Sequence, residues 1–164
     1  MEERYCLKNC VGAMAEIAFY HLQMTSLEKL LPVLLRKTLD VGKRALVRVG
    51  SADRLEIIDA ELWTEDPAGW LPHGSAKDGR AEEQPIWLTV GQDNPNSATF
   101  LFLTDGAVAG ALDGIERCFD LFDGHDDTAL QAARTRWSSL KEAGHDLTYW
   151  QQNDAGKWEQ RAKS

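Results

Sequence analysis

The chain has 164 residues, of which 43% are hydrophobic and 27% are charged, and its formal net charge is −8. This length and composition fit a single globular domain whose core can form without disulfides or a structural metal. The acidic balance argues against a protein that grips a nucleic-acid backbone, because that task requires clustered Lys and Arg side chains.

The cysteines indicate a reducing environment. Cys6, Cys10 and Cys118 are an odd number and lack the spacing of a disulfide framework, so we expect a cytoplasmic protein. No apolar run approaches the length of a membrane span, and we expect no membrane association.

The two ends of the chain differ in composition from its middle. Residues 1–13 lack the apolar stretch of a signal peptide, and we expect them to be a loose extension. We expect residues 14–150 to form the folded domain and residues 151–164, which are mostly polar, to form a tail.

Strand and helix patterns alternate along the first third of the chain. Apolar runs with β-branched residues predict strands at 15–22 and 43–49. Helical spacing of apolar residues predicts helices at about 25–42 and 51–63. This β-α-β-α order indicates a parallel sheet with crossover helices.

The first predicted helix carries start and stop signals. Thr25 and Glu28 have the spacing of a capping box, in which each side chain bonds to the backbone of the other residue. Pro32 implies either that the helix begins near it or that the helix kinks there. Gly42 is placed to end the helix.

The second half of the chain contains three further strand patterns and one long helix. The strands are predicted at 85–89, 99–104 and 115–122, and the polar stretch 75–83 is interpreted as a mobile loop. Residues 126–143 have the clearest helical pattern, with acidic residues at the start and a glycine after the end. The predicted fold is α/β, a single three-layer domain in which helices flank a mostly parallel central sheet.

Such a sheet often binds nucleotides, but this chain lacks the loops for it. The turn after the first predicted strand reads HLQMTS and contains no glycine, although a backbone that approaches a pyrophosphate needs glycine there. A phosphate-binding loop with its Gly-rich turn and Lys-Ser/Thr is absent from the whole chain. We therefore predict a nucleotide-binding-like fold without a phosphate loop and without a cofactor.

Catalytic and metal-binding patterns are weak. His21 lies on a predicted strand and is interpreted as a core residue, and no Gly-x-Ser-x-Gly nucleophile turn is present. Four clustered residues could hold a metal ion but are more simply interpreted as helix caps and turn residues: Asp123, His125, Asp126 and Asp127. We predict no catalytic centre and no metal site.

Two tryptophans stand in a segment that cannot be regular structure. The stretch from Leu62 to Gly74 reads LWTEDPAGWLPHG, and its prolines and glycines interrupt any helix or strand. Trp63 and Trp70 are therefore either buried at an edge of the core or held ready for a partner protein.

The last predicted helix has an unusual stripe beside its core face. Leu130, Arg134, Trp137 and Lys141 fall within one narrow arc of the helical wheel. The stripe is either a core-edge Trp whose neighbouring cations extend into solvent, or a cradle for a peptide that is both apolar and acidic.

Four segments together resemble the chi subunit of bacterial DNA polymerase III. They read RALVRV, RLEIIDAELWTEDPAGWLPHG, PIWLT and RTRWSSLKEAGHDL, and the resemblance extends over about residues 14–150. The resemblance implies a non-catalytic replisome adaptor in the clamp-loader complex. Such a protein binds the acidic, Phe-terminated C-terminal tail of the single-stranded-DNA-binding protein. It also binds the psi subunit and, in some members, an accessory helicase.

The resemblance also assigns residues to two surfaces. The tail-binding pocket is implied at Arg134, Trp137 and Lys141, together with Phe122. Ser138 and Leu130 replace cations of the family here, which implies weaker binding of the tail. The psi or helicase surface is implied at four residues: Trp63, Trp70, Pro72 and His73.

An enzyme on the same α/β scaffold is the alternative. A nucleotide-dependent hydrolase or transferase would need a phosphate cradle or an acid–base pair, and the sequence shows neither.

Overall fold

The computed structural model describes residues 15–64 and 71–164. In it the chain forms one β-sheet with helices on both faces. In chain order its elements are β1 (Glu16–Leu22), α1 (Leu27–Asp40), β2 (Ala45–Val49), α2 (Ala52–Thr64), β3 (Gly74–Ser75), a short 3-10 helix (Ala81–Glu83), β4 (Ile86–Thr89), β5 (Phe100–Thr104), β6 (Arg117–Asp123), α3 (Asp127–Glu142), β7 (Asp146–Gln152) and β8 (Trp158–Lys163).

The sheet has the order β3-β4-β2-β5-β6-β1-β7-β8. All neighbouring strands are parallel except β7 and β8, which form an antiparallel pair at one edge. The predicted α/β fold with a mostly parallel sheet is confirmed. None of the helices in the described ranges is long and apolar enough to cross a membrane.

Alternation along the strands gives the sheet two apolar faces. Leu31 and Leu35 of α1 and Ile58 of α2 pack on one face, so these two helices share a layer. Ala133 of α3 packs on the other face, with Trp137 partly buried beside it. The central strands β2 and β5 are buried at every residue, as expected for parallel strands covered on both faces.

The start of α1 differs from its prediction. The helix begins at Leu27 with Ser26 as N-cap, and Ser26 makes no side-chain cap hydrogen bond. The predicted capping box is wrong because Thr25 bonds elsewhere: its N–H donates to Gln152 and its hydroxyl accepts from the Gln152 amide. Pro32 is buried inside the helix, so the helix does not start there.

Two strands occupy segments that had been predicted as loop and tail. Residues 74–75 form β3, which pairs with β4 at the start of the predicted loop. Residues 158–163 form β8, which pairs with β7, and Trp158 packs on Tyr20 with ring centroids 5.3 Å apart. The prediction of a tail at residues 151–164 is therefore wrong, because apolar contacts and backbone hydrogen bonds hold this segment on the sheet.

The face of the sheet that is covered by the following helix differs between the neighbouring strands β1 and β6. The helix after β1 covers one face and the helix after β6 covers the other, although β1 and β6 are paired. In open α/β sheets this change leaves a crevice beyond the carboxyl ends of the two strands.

Candidate functional site

A cleft of about 350 Å³ lies between α3 and the sheet edge near β8. Its floor consists of Phe19 from β1, Phe122 from β6, Tyr149 from β7 and Ala162 from β8. These side chains meet because alternate residues of neighbouring strands point to the same face of the sheet. α3 forms the wall with five residues: Leu130, Ala133, Arg134, Trp137 and Ser138.

Aromatic rings give the cleft its apolar interior. The Trp137 ring lies 5.4 Å from Phe19 and 6.2 Å from Tyr149, both in edge-on arrangements. Phe122 lies 6.1 Å from Tyr149 between ring centroids. Trp137 therefore belongs to the edge of the core and also lines the cleft, so the two interpretations of its stripe are not exclusive.

Two arginines on α3 have different environments. Arg136 forms a two-pronged ion pair with the buried carboxylate of Asp120, with nitrogen–oxygen distances of 2.5 and 2.9 Å. Arg134 is exposed at the cleft wall and makes no ion pair with any carboxylate in the described part of the chain. Its charge is therefore available to an acidic ligand in the cleft.

A buried histidine supports the cleft floor. The hydroxyl of Tyr149 is hydrogen-bonded to Nδ1 of His21, with an oxygen–nitrogen distance of 2.5 Å. Gly124 leaves no room for a Cβ against the His21 ring, so the ring is tightly enclosed. Burial lowers the pKa of His21, and burial raises the pKa of Tyr149 although the nearby Arg134 charge opposes that rise.

The structure gathers three of the four residues predicted for the tail pocket. Phe122, Arg134 and Trp137 line the cleft, whereas Lys141 is exposed one turn further along α3 and does not line it. Ser138 and Leu130 also line the cleft. The sequence did not indicate Phe19, Tyr149 and Ala162, because these come from three separate strands and no local pattern reports that the strands are neighbours.

A second candidate surface surrounds Trp63 at the end of α2. The side chain is 54% exposed, and its ring lies 4.4 Å from the buried ring of His73. His73 donates from Nδ1 to the carbonyl of Leu71, and its Nε2 lies 3.1 Å from the carboxylate of Asp59. Pro72 is half-buried between these residues, and Trp70 lies outside the described residues.

Asp126 caps α3 as its position in the sequence predicted. Its carboxylate accepts hydrogen bonds from the N–H groups of Thr128 and Ala129, and Asp123 accepts from the N–H of His125. These bonds support the interpretation of the acidic cluster as caps and turn residues.

A larger crevice of about 770 Å³ lies at the carboxyl ends of β1, β5 and β6. Arg54 bridges it, with Nη2 2.9 Å from Glu28 and Nε 2.9 Å from Asp105. Burial raises the pKa of Glu28, but the hydrogen bonds that its carboxylate accepts and the charge of Arg54 together outweigh burial, so the net shift of the pKa is downward. The carboxylate of Glu28 thus stands at the start of α1, where nucleotide-binding folds place a phosphate.

Comparison with known proteins identifies one family. A family model described as DNA polymerase III chi subunit, HolC, matches residues 14–148. The chain is also similar to a protein of Rickettsia prowazekii (strain Madrid E) named "Probable DNA polymerase III subunit chi". The two sequences are 24% identical over 100 residues, which cover 61% of this chain and 61% of the relative.

Proposed function

Because this chain belongs to the DNA polymerase III chi subunit family, we propose that it is a non-catalytic accessory subunit of the replicative polymerase, within its clamp-loader complex. We propose that it acts as an adaptor. The cleft beside α3 binds the acidic C-terminal tail of the single-stranded-DNA-binding protein, and a separate surface around Trp63 binds the psi subunit or an accessory helicase.

The observation that supports tail binding is the combination of an aromatic cleft with an arginine at its wall, Arg134, that forms no ion pair with a described carboxylate. A cleft of about 350 Å³ can accommodate one aromatic side chain, and its rings offer edge-on contacts to such a guest. Arg134 can pair with a carboxylate of the same ligand. A peptide that ends in Phe presents an aromatic ring and a carboxylate on a single residue, and acidic residues before it add further negative charge.

Tethering explains how such a small site can be sufficient. A single cleft with one free arginine provides modest affinity, but the tails are repeated along coated single-stranded DNA. Repetition raises the effective concentration of tail near each adaptor molecule, so the bound state is favoured without new contacts.

A fluorescence-anisotropy titration tests the cleft. The probe is a labelled peptide with the acidic, Phe-terminated tail sequence, and the matched control peptide lacks only the final Phe. We expect saturable binding by the full chain that is lost with the Phe and reduced by Trp137→Ala. Equal binding of the two peptides would refute the assignment of the cleft.

The Trp63 surface should be separable from the cleft. We expect Trp63→Ala to preserve tail binding and to weaken binding of purified psi or helicase. Trp70→Ala is expected to act in the same way. Equal loss of both activities would instead indicate general unfolding, which circular dichroism of each variant would reveal.

The large crevice is the observation that favours an enzyme as second candidate, since crevices at this position hold nucleotides in many α/β folds. The Glu28–Arg54–Asp105 bridge opposes it, because an acidic side chain stands where a phosphate would bind. A thermal-shift assay with ATP or NAD discriminates between the two. A clear rise in melting temperature would support the nucleotide-binding alternative, because a ligand that binds only the folded state stabilises it.

A further inference from the structure

We propose that the exposed face of α2 around Trp63 binds a positively charged segment, an amphipathic peptide whose Lys or Arg side chain lies over the Trp63 ring. This inference rests on the proposed function of that surface and adds the chemistry of its partner.

The first support is the placement of carboxylates along α2. The helix contains four acidic residues and one basic residue; the acidic ones are Asp53, Glu56, Asp59 and Glu61. Glu56 and Asp59 precede Trp63 by seven and four residues, so a helical repeat of 3.6 residues puts all three on one stripe. An exposed aromatic ring therefore ends a stripe of negative charge.

The basic residue of α2 does not neutralise this stripe. Arg54 is bonded to Glu28 and Asp105 in the crevice at the other end of the helix. Its charge is thus committed to two carboxylates that are not part of α2.

A lysine from outside α2 pairs with one carboxylate of this stripe, and the pair is exposed. Lys77 pairs with Glu56 at 2.8 Å, but the two side chains are 69% and 61% exposed. An ion pair this exposed is screened by water and contributes little, so a partner cation can replace Lys77 at little cost.

Trp63 itself favours a cationic guest. The indole face is the best aromatic surface for a Lys or Arg cation, and nearby carboxylates strengthen that preference. His73 packs on the same ring at 4.4 Å and orients it, while more than half of the side chain remains exposed. An apolar side chain next to the cation would cover the remaining ring area.

The charge of this surface is opposite to that of the cleft. The tail cleft offers aromatic rings with Arg134, and the Trp63 surface offers an aromatic ring with carboxylates. An acidic tail is repelled by the second surface and a basic segment by the first. The two partners are therefore sorted by charge even though both sites present aromatic rings.

The experiment is a peptide selection on the full chain. A displayed library of random peptides, about a dozen residues long, is enriched on the unmodified protein and depleted on Trp63→Ala. We expect the surviving peptides to carry net positive charge. We also expect them to bind Trp63→Ala at least about tenfold more weakly than the unmodified protein.

A charge variant that keeps the ring provides the second readout. Glu56→Gln with Asp59→Asn, which removes the two carboxylates of the stripe, should weaken binding of the selected peptides several-fold. The matched control, Glu142→Gln with Asp154→Asn, removes the same charge at the end of α3 and in the β7–β8 turn and should leave their binding unchanged. If both double variants weaken binding equally, the attraction comes from the overall net charge and the proposal is overturned.

The outcomes separate this inference from the proposed function. Surviving peptides that are neutral or acidic would overturn the basic partner while retaining Trp63 as a docking surface. The absence of any peptide that distinguishes Trp63→Ala would overturn the docking surface itself. Titration of the acidic tail on the same protein preparations reports separately whether the cleft is intact.

Discussion

Arg134 and Arg136 lie two residues apart on α3, and the fold uses their charges differently. Arg136 compensates the buried Asp120, so its removal would leave a buried carboxylate without a partner. Arg134 stabilises no described carboxylate and faces the cleft. Substitution of Arg134 therefore tests ligand binding, whereas substitution of Arg136 would also destabilise the fold.

Arg134→Ala should weaken tail binding about fivefold, since a partly exposed charge-assisted contact is worth about 1 kcal/mol. The measurement is the dissociation constant of the labelled tail peptide by anisotropy. Lys157→Ala is the matched control, because it removes an exposed cation from the β7–β8 turn and not from the cleft. An unchanged dissociation constant for Arg134→Ala would show that the tail binds elsewhere.

His21 should make stability depend on pH. Its pKa in the folded state is lowered, chiefly by burial, so the unfolded chain binds a proton more readily than the folded chain. The stability contribution of the neutral imidazole is complete above about pH 6.5 and is lost as the pH falls through the lower pKa of the folded state. We expect urea unfolding to show a decline below about pH 6.5 that is smaller in His21→Gln.

Tyr149→Phe provides the control for that pH dependence. It removes the hydroxyl that faces His21 but leaves the imidazole buried, so the decline at low pH should persist. If His21→Gln and the unmodified chain lose stability in parallel, another group is responsible for the decline.

Single residues also show why the site was only partly predictable. Arg134 and Trp137 were found because both lie on one helix, where spacing in sequence reports proximity. Phe19 and Tyr149 are 130 residues apart in the chain, and they meet because β1 pairs with β7. No local pattern encodes that strand pairing.

At the scale of elements, the predicted strands and helices with strong apolar patterns are confirmed. The strands that the sequence did not predict are β3, β7 and β8, and their patterns are weak. β3 has only two residues, and β8 reads WEQRAK, which shows no regular alternation of apolar and polar residues. Charged side chains on an edge strand discourage unwanted pairing, so the feature that protects β8 also hides it from sequence analysis. In α1, the contacts of Thr25 with Gln152 replaced a local cap by a long-range bond.

Trp158→Ala tests whether β8 belongs to the fold. Trp158 is half-buried and packs edge-on against Tyr20, so its truncation should lower the free energy of unfolding by about 2 kcal/mol. Urea denaturation provides the measurement. Arg161→Ala, an exposed change in the same strand, should cost less than about 0.5 kcal/mol. Equal and negligible effects of both changes would restore the view of this segment as a loose tail.

At the scale of the molecule, charge is distributed unevenly. The chain as a whole carries −8, yet residues 134–164 contain six basic and four acidic residues. The cleft beside α3 lies in this locally basic part, and the acidic α2 packs near β2 and β4, several strands away across the sheet. An adaptor with two separated surfaces of opposite charge can hold both partners without competition between them.

The salt dependence of tail-peptide binding should separate the effect of the local charge at the cleft from the effect of the net charge of the chain. The attraction that we propose between Arg134 and an acidic tail would be short-ranged, whereas the net charge of −8 would repel the tail over a longer distance. In the unmodified chain, raising the salt concentration from about 0.05 M to about 0.5 M should weaken binding, because the local contact dominates. In Arg134→Gln the repulsion remains without that contact, so the affinity should fall less steeply with salt or rise. If Arg134→Gln keeps the full salt dependence, other cations near the cleft, with Lys141 the first to test, supply the attraction instead.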